Sequence, residues 1–261
     1  MDTASLLDEA LKKCAATKFT GVLRVAGDPG GTVHLAGGGI AACDTSGAPG
    51  LEVILLRSRM ISEEDWDAAF AASAKTRRPM TAELIARELV GAGELEALLR
   101  VTLADTMFAL VNGTIAECQT EEQRADCLLP FDPAAKSGWL LAEATRRAQA
   151  LASFPEPAIS ARDRVVAVPK AAGKGADEIL AMADGRRTAR DLAFALGRGL
   201  YATLLQLTQM RAGGLVVTTP RAPAAPSRGQ ATGLPRRRKD QPETSRRDLP
   251  APVRMVRPRS D

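Results

Sequence analysis

Between Gly185 and Gln209 the chain gathers side chains suited to holding phosphate. Arg186, Arg187 and Arg190 fall in Gly-Arg-Arg-Thr-Ala-Arg, Arg198 sits between two glycines, and Tyr201 and Gln209 follow. A guanidinium offers a planar fork of donors that matches phosphate oxygens. A glutamine amide can bond an adenine edge through two atoms. In this reading Arg198 and Tyr201 hold phosphates and Gln209 reads a base. Arg186, Arg187 and Arg190 add contacts to the nucleic-acid backbone that carry little sequence information.

Such a set works only if helices aim it. Residues 176–183 place Ile179, Leu180 and Met182 on one side of a first helix, which Asp184-Gly185 ends. Thr188, with Asp191 three positions on, is suited to cap a second helix whose inner side holds Leu192, Ala193 and Leu196. Gly197-Arg198-Gly199 makes a turn, and residues 200–211 form a third helix. At 100° per residue, Leu200, Thr203, Leu204, Leu207 and Met210 share its inner face. Tyr201, Ala202, Leu205, Thr208 and Gln209 are left for the outer face. Residues 165–168 and 215–218 are strand-like and able to pair. This is the pattern of a winged helix-turn-helix over 160–219. Leu205 on the outer face suits a thymine methyl or a protein surface equally, so the pattern leaves both partners open.

The front of the chain reads differently. Residues 5–16 form an amphipathic helix through Leu6, Leu7, Ala10, Leu11 and Cys14. Residues 20–26, 32–36 and 40–44 are short strand-like runs separated by Asp28-Pro29-Gly30-Gly31 and Gly37-Gly38-Gly39, which predict an antiparallel meander. Helices are expected over 50–58, from Ser62 onward with Trp66, Ala69, Phe70 and Ser73 inward, and over 81–90 and 93–111. The last carries the stripe Leu95, Leu99, Leu103, Thr106 and Leu110. A strand over 114–119 returns to the meander. A helix over 137–154 follows, with Trp139, Leu140, Ala144 and Leu151 inward. Phe154-Pro155-Glu156-Pro157 then breaks the chain. The expected fold class is α+β, with a small antiparallel sheet and helices in residues 1–154, then the mostly helical unit of 160–219.

Charge divides along the same line. Residues 1–159 carry a net charge of −7, residues 160–219 +4 and residues 220–261 +7. The last segment is rich in Pro and Arg and poor in anything to bury, so it is expected to be disordered and dispensable for folding. Its Pro-Arg-Arg-Arg-Lys run from Pro235 and its Arg246-Arg247 pair are able to neutralise phosphates without reading sequence.

Chemistry of other kinds finds little support. The glycine clusters lack the Lys-Ser or Lys-Thr of a phosphate loop. The single histidine, His34, has no nucleophile and carboxylate at a triad's spacing and reads as structural. Cys14, Cys43, Cys118 and Cys127 form no C-x-x-C pair, which argues against zinc and against a disulfide framework. The acidic run Glu63, Glu64, Asp65 and Asp67 complements a helix N-terminus rather than a metal. No enzyme, metal or cofactor is expected. The N-terminus lacks a secretory pattern and no apolar run is long enough for a bilayer, so the expected compartment is the cytoplasm.

The run from Phe19 to Arg57 resembles the start of a PATAN-type domain. Gly21–Val25, Val33–Leu35, Gly38–Ala42 and Gly50–Leu56 correspond to that family's strand, strand, strand and helix. The helices from Ile61 to Leu110 are similar in pattern to those of such domains, and also to the N-terminal domains of type II secretion ATPases. The rear unit is similar to winged helices joined to such domains in actinobacterial regulators. The resemblance covers residues 19–154 and implies protein–protein interaction in bacterial signalling. The middle helices are more extensive than in a minimal domain of that family.

Two functions follow as expectations. One is a DNA-binding transcriptional regulator whose front domain receives a signal from a protein partner, with a homodimer suited to a palindromic site. The other is a non-enzymatic signalling adaptor whose winged helix binds protein.

Overall fold

The computed structural model describes residues 3–122, 127–168 and 178–219. The expectation of a disordered tail over 220–261 lies outside them. The fold is α+β.

Helix α1 (Thr3–Ala16) leads into three strands, β1 (Gly21–Asp28), β2 (Gly31–Ala36) and β3 (Gly39–Thr45). They pair as an antiparallel meander, with Leu23 opposite Val33 and Val33 opposite Cys43. Helices α2 (Leu51–Arg57), α3 (Glu63–Thr76), α4 (Met80–Ala86) and α5 (Ala92–Val111) follow. Strand β4 (Thr114–Glu121) then returns beside β1, antiparallel, and completes a sheet in the order β3-β2-β1-β4. Leu23, Val25, Val33 and Leu35 point into the core. Residues alternate across a strand, so Arg24 lies on the opposite, solvent face and pairs with Glu121 at 2.6 Å.

The central element is α5. Every residue from Thr102 to Leu110 is buried. The one-sided stripe anticipated for it holds only near its start, because a helix enclosed by neighbours has no solvent face to keep polar. Helix α6 (Ser137–Ala152) packs along it. Two side chains expected inside are outside: Phe70 on α3 is 51% exposed and Trp139 on α6 is 40% exposed. Arg147 takes an inward position on α6 instead. Trp139 lies against the Arg100 guanidinium, 5.5 Å from the ring centroid, which gives it a cation–π partner at the surface.

Past the Pro155–Pro157 break the chain runs back over the same core, with Ile159 buried. Strand β5 (Arg164–Ala167), helix α7 (Glu178–Met182), strand β6 (Asp184–Thr188), helices α8 (Ala189–Leu196) and α9 (Leu200–Ala212), and strand β7 (Val216–Thr219) complete the described chain. The sheet order is β6-β5-β7, antiparallel throughout. The pairing of β5 with β7 is the one expected, whereas β6 forms where the sequence predicts a helix stop and a turn. Gly185 keeps its positive φ of 80°, but the residues around it extend and pair with β5. Thr188 and Asp191 form the full reciprocal cap on α8. On α3, Ser62 accepts from the Asp65 amide, while Asp65 reaches the Ser62 hydroxyl instead of its amide.

Candidate interaction site

Helix α9 buries Leu200, Thr203, Leu204, Leu207 and Met210 as its period dictates. Its outer face is only partly free. Ala202 and Gln209 are exposed, Tyr201 and Leu205 are half-buried, and Thr208 is fully buried. Thr208 donates its hydroxyl to Leu204 O at 2.8 Å and faces the Ile159 amide at 3.5 Å. The segment after α6 therefore covers one flank of α9. Arg211 reinforces this contact through the Pro157 carbonyl and through Glu156, at 3.0 Å.

The start of α9 is closed off by the front helices. Gly199, its N-cap, has no side chain to satisfy the free amides of the first turn. Asp105 of α5 supplies the acceptor, with Oδ1 taking the Tyr201 amide at 3.2 Å. The same oxygen takes Nη1 of Arg147 from α6 at 2.6 Å. Glu143, one turn back on α6, holds the Nε of Arg147 at 2.8 Å and is itself gripped by Arg146. Hydrogen bonds from Arg146, then Arg147, draw the Glu143 carboxyl down to about 2. Burial pushes the Asp105 carboxyl up, against the pull of Arg147 and the α9 amides. Arg147 also lies over the Tyr201 ring, 5.0 Å from its centroid, and Phe108 meets that ring edge-on at 5.8 Å. Three helices thus meet at one buried charged node.

The glycines of the turn have the same cause. A Cβ on Gly199 would lie 2.3 Å from Asp105 Oδ2. Gly197, at φ 61°, would place one 2.6 Å from the Arg57 Cβ at the end of α2. The turn between α8 and α9 is docked on α2 and α5.

The other candidate phosphate contacts disperse. Arg186 is exposed on β6. Arg187 pairs with Asp184 at 2.9 Å and donates to Met182 O at 3.2 Å. Arg198 bridges to Glu178 at 3.0 Å and to Gln206 at 3.4 Å. Arg190 lines a cavity of about 550 Å³ between the front helices and α9, with Arg162 as the other cation on its wall. Tyr201 belongs to the buried node, and Gln209 is exposed on the far half of α9. The sequence pattern put Arg198, Tyr201 and Gln209 on the outer face of α9 and Arg186, Arg187 and Arg190 on the preceding loop and helix; in the structure Arg187 and Arg198 are ion-paired, Arg190 lines the cavity and Tyr201 sits in the node. What the pattern passed over are Asp105, Arg147 and Arg162. The signal for the first two was present, since a charge inside an apolar stripe requires a partner.

Elsewhere, His34 faces Asp44 at 3.4 Å. Among the described residues no group of three or more His, Cys, Asp or Glu side chains is placed to hold a metal ion. No described helix is long and apolar enough to cross a membrane. No protein-family model matches the chain, and neither the curated proteins nor the solved structures provide a match.

Proposed function

We propose that this chain is a non-enzymatic interaction protein, a signalling adaptor whose helix-turn-helix serves as a docking element and not as a reader of DNA. The observation that carries this reading is the closure of the start of α9. A recognition helix brings its N-terminal residues to the base edges in the major groove. Here that end is capped by Asp105, overlain by Arg147 and Phe108, and joined to a turn whose glycines abut α2 and α5. A carboxylate at the helix start also occupies the place a DNA phosphate would take. The PATAN-like character of the front strands fits the same role, with a signalling protein as the partner.

The regulator reading retains one point of support: Arg186 and Gln209 are exposed and the segment 160–219 is basic. It requires α9 to leave its seat. The test is retention of genomic DNA fragments by the full chain and by Asp105→Ala at low and moderate salt. The adaptor reading expects only weak binding, indifferent to sequence and lost as salt rises. Enrichment of particular fragments that survive the higher salt, with either protein, overturns it.

A further inference from the structure

We propose that the cavity between the front helices and α9 binds a single amphipathic carboxylate, an acyl-chain monoanion, with its head at Arg190 and its chain along the apolar wall. The cavity's volume of about 550 Å³ lies within the range of small-ligand sites. Its wall draws Phe108 from α5, Leu151 from α6 and Leu204 from α9, all buried and apolar. Its uncharged polar side chains are Asn112, Thr114 and Ser160. Asn112, on the wall, already commits its amide to Phe108 O at 2.8 Å.

The charges on the wall set the ligand's class. Asp28, Arg162 and Arg190 are the ionisable residues lining it. Arg162 is matched by Asp28, at 2.5 Å to its carboxylate and 2.9 Å to its carbonyl oxygen. Arg190 has a weaker hold, with Asp191 at 3.7 Å. Asp191 is itself engaged by the Thr188 amide at 3.0 Å, in the cap of α8. Arg190 is thus the cation on this wall whose carboxylate partner stands beyond hydrogen-bond distance, beside an interior lined by Phe108, Leu151 and Leu204. With Asp191 counted the two arginines and two carboxylates already balance, so every charge on a ligand is one more to hold beside apolar walls, and a monoanion costs less than a dianion. Because the walls come from both the front helices and α9, the bound ligand also ties these elements together. The inference does not rest on the adaptor reading, since the cavity belongs to the folded chain whichever partner α9 serves.

The test is calorimetric titration of the full chain with decanoate, decanol and decyl phosphate, alongside its melting temperature. Decanoate is expected to bind at one site per chain and raise the melting temperature. Arg190→Gln should weaken decanoate by about tenfold while leaving decanol unchanged. Ala148→Phe, which narrows the wall, should weaken both. Circular dichroism identifies any variant that fails to fold, and Arg190→Lys, which keeps the charge, then stands in for Arg190→Gln and should retain decanoate. Tighter binding of decyl phosphate than of decanoate overturns the carboxylate assignment. Absence of decanoate binding at about 1 mM by folded wild-type protein overturns the site. So does binding at several sites indifferent to both substitutions.

Discussion

The carboxylate of Asp105, in the middle of α5, accepts the backbone amide of Tyr201, in the first turn of α9, at 3.2 Å. A helix cap is usually local, supplied by the residue before the first turn. This one comes from another helix, 96 positions earlier, and it makes the seating of α9 depend on the front of the chain. Arg147 completes it at 2.6 Å on the same oxygen, Oδ1, so that a buried carboxylate joins a buried guanidinium to a helix start, while Oδ2 has no hydrogen-bond partner among the described residues.

Removing one member should therefore cost more than the pair contributes. Asp105→Ala leaves buried Arg147 with Glu143 as its remaining carboxylate partner and α9 uncapped. A loss of about 3–5 kcal/mol in unfolding free energy is expected. The double change Asp105→Leu with Arg147→Met should recover part of it, because two apolar side chains carry no desolvation penalty. Urea denaturation of the three proteins checks this. A double variant no more stable than Asp105→Ala would show that the cap on α9, not the stranded charge, dominates.

The glycines separate strain from contact. Gly197 and Gly214 both have positive φ, 61° and 70°, but Gly214 has open space where a Cβ would go. Gly214→Ala should cost about 1 kcal/mol for the backbone alone. Gly197→Ala adds a Cβ against Arg57 and Ser58 of the α2 end and should cost clearly more, about 2–4 kcal/mol. Equal losses in thermal unfolding would mean that α2 yields and the turn is not firmly seated.

Most of the architecture was legible because it follows from periodicity. The meander, the return of β4, the cap at Thr188 and the inner face of α9 each rest on a local rule of two or three residues' reach. What was not legible depended on which second surface an element meets. Leu205 and Thr208 fall on the outer face of α9 by periodicity, and the segment from Pro157 to Ile159 covers Thr208 there. The glycines around Arg198 looked like a generic turn, although their neighbours are Arg57 and Asp105, far away in sequence. Strand β6 was hidden because Gly185 and two arginines carry no strand propensity, and its pairing with β5 overrides that. The same holds for the candidate site. Arg187 and Arg198 carry the charge that the pattern requires, but each is held by a carboxylate, Asp184 and Glu178.

Acid should loosen α6 through Glu143. Hydrogen bonds from Arg146 and Arg147 lower its carboxyl to about 2, below the unfolded value of about 4.3. The charged form is favoured in the folded state. Its stabilisation is therefore present above the unfolded pKa and fades as pH falls from about 4.3 through about 2. The shift corresponds to about 3 kcal/mol by linkage, and solvent screening of Arg146 reduces this to about 1 kcal/mol. Glu143→Gln should lower stability by that amount at pH 6 and converge on the wild type near pH 2. A gap between the two proteins that stays constant over this range would place the effect in packing instead of charge.

The exposed and the engaged residues of the rear segment discriminate between the two partners most sharply. On the adaptor reading, Gln209→Ala and Arg187→Ala leave nucleic-acid affinity unchanged, because Gln209 is exposed to solvent on the far half of α9 and Arg187 is held by Asp184 and Met182. On the regulator reading, Gln209→Ala relaxes base preference, and Arg187→Ala weakens binding to every sequence and lowers the salt slope by about one. Tyr201→Phe adds a third measurement. The ring's contacts with Phe108 and Arg147 use its face and edge, so loss of the hydroxyl should leave the melting temperature within about 2 °C of the wild type. A phosphate contact through that hydroxyl would instead appear as weaker DNA binding with stability intact. Fluorescence anisotropy with a labelled duplex, measured at two salt concentrations for the wild type and the three variants, reads all of these outcomes. Four indistinguishable and weak binding curves are the expected result.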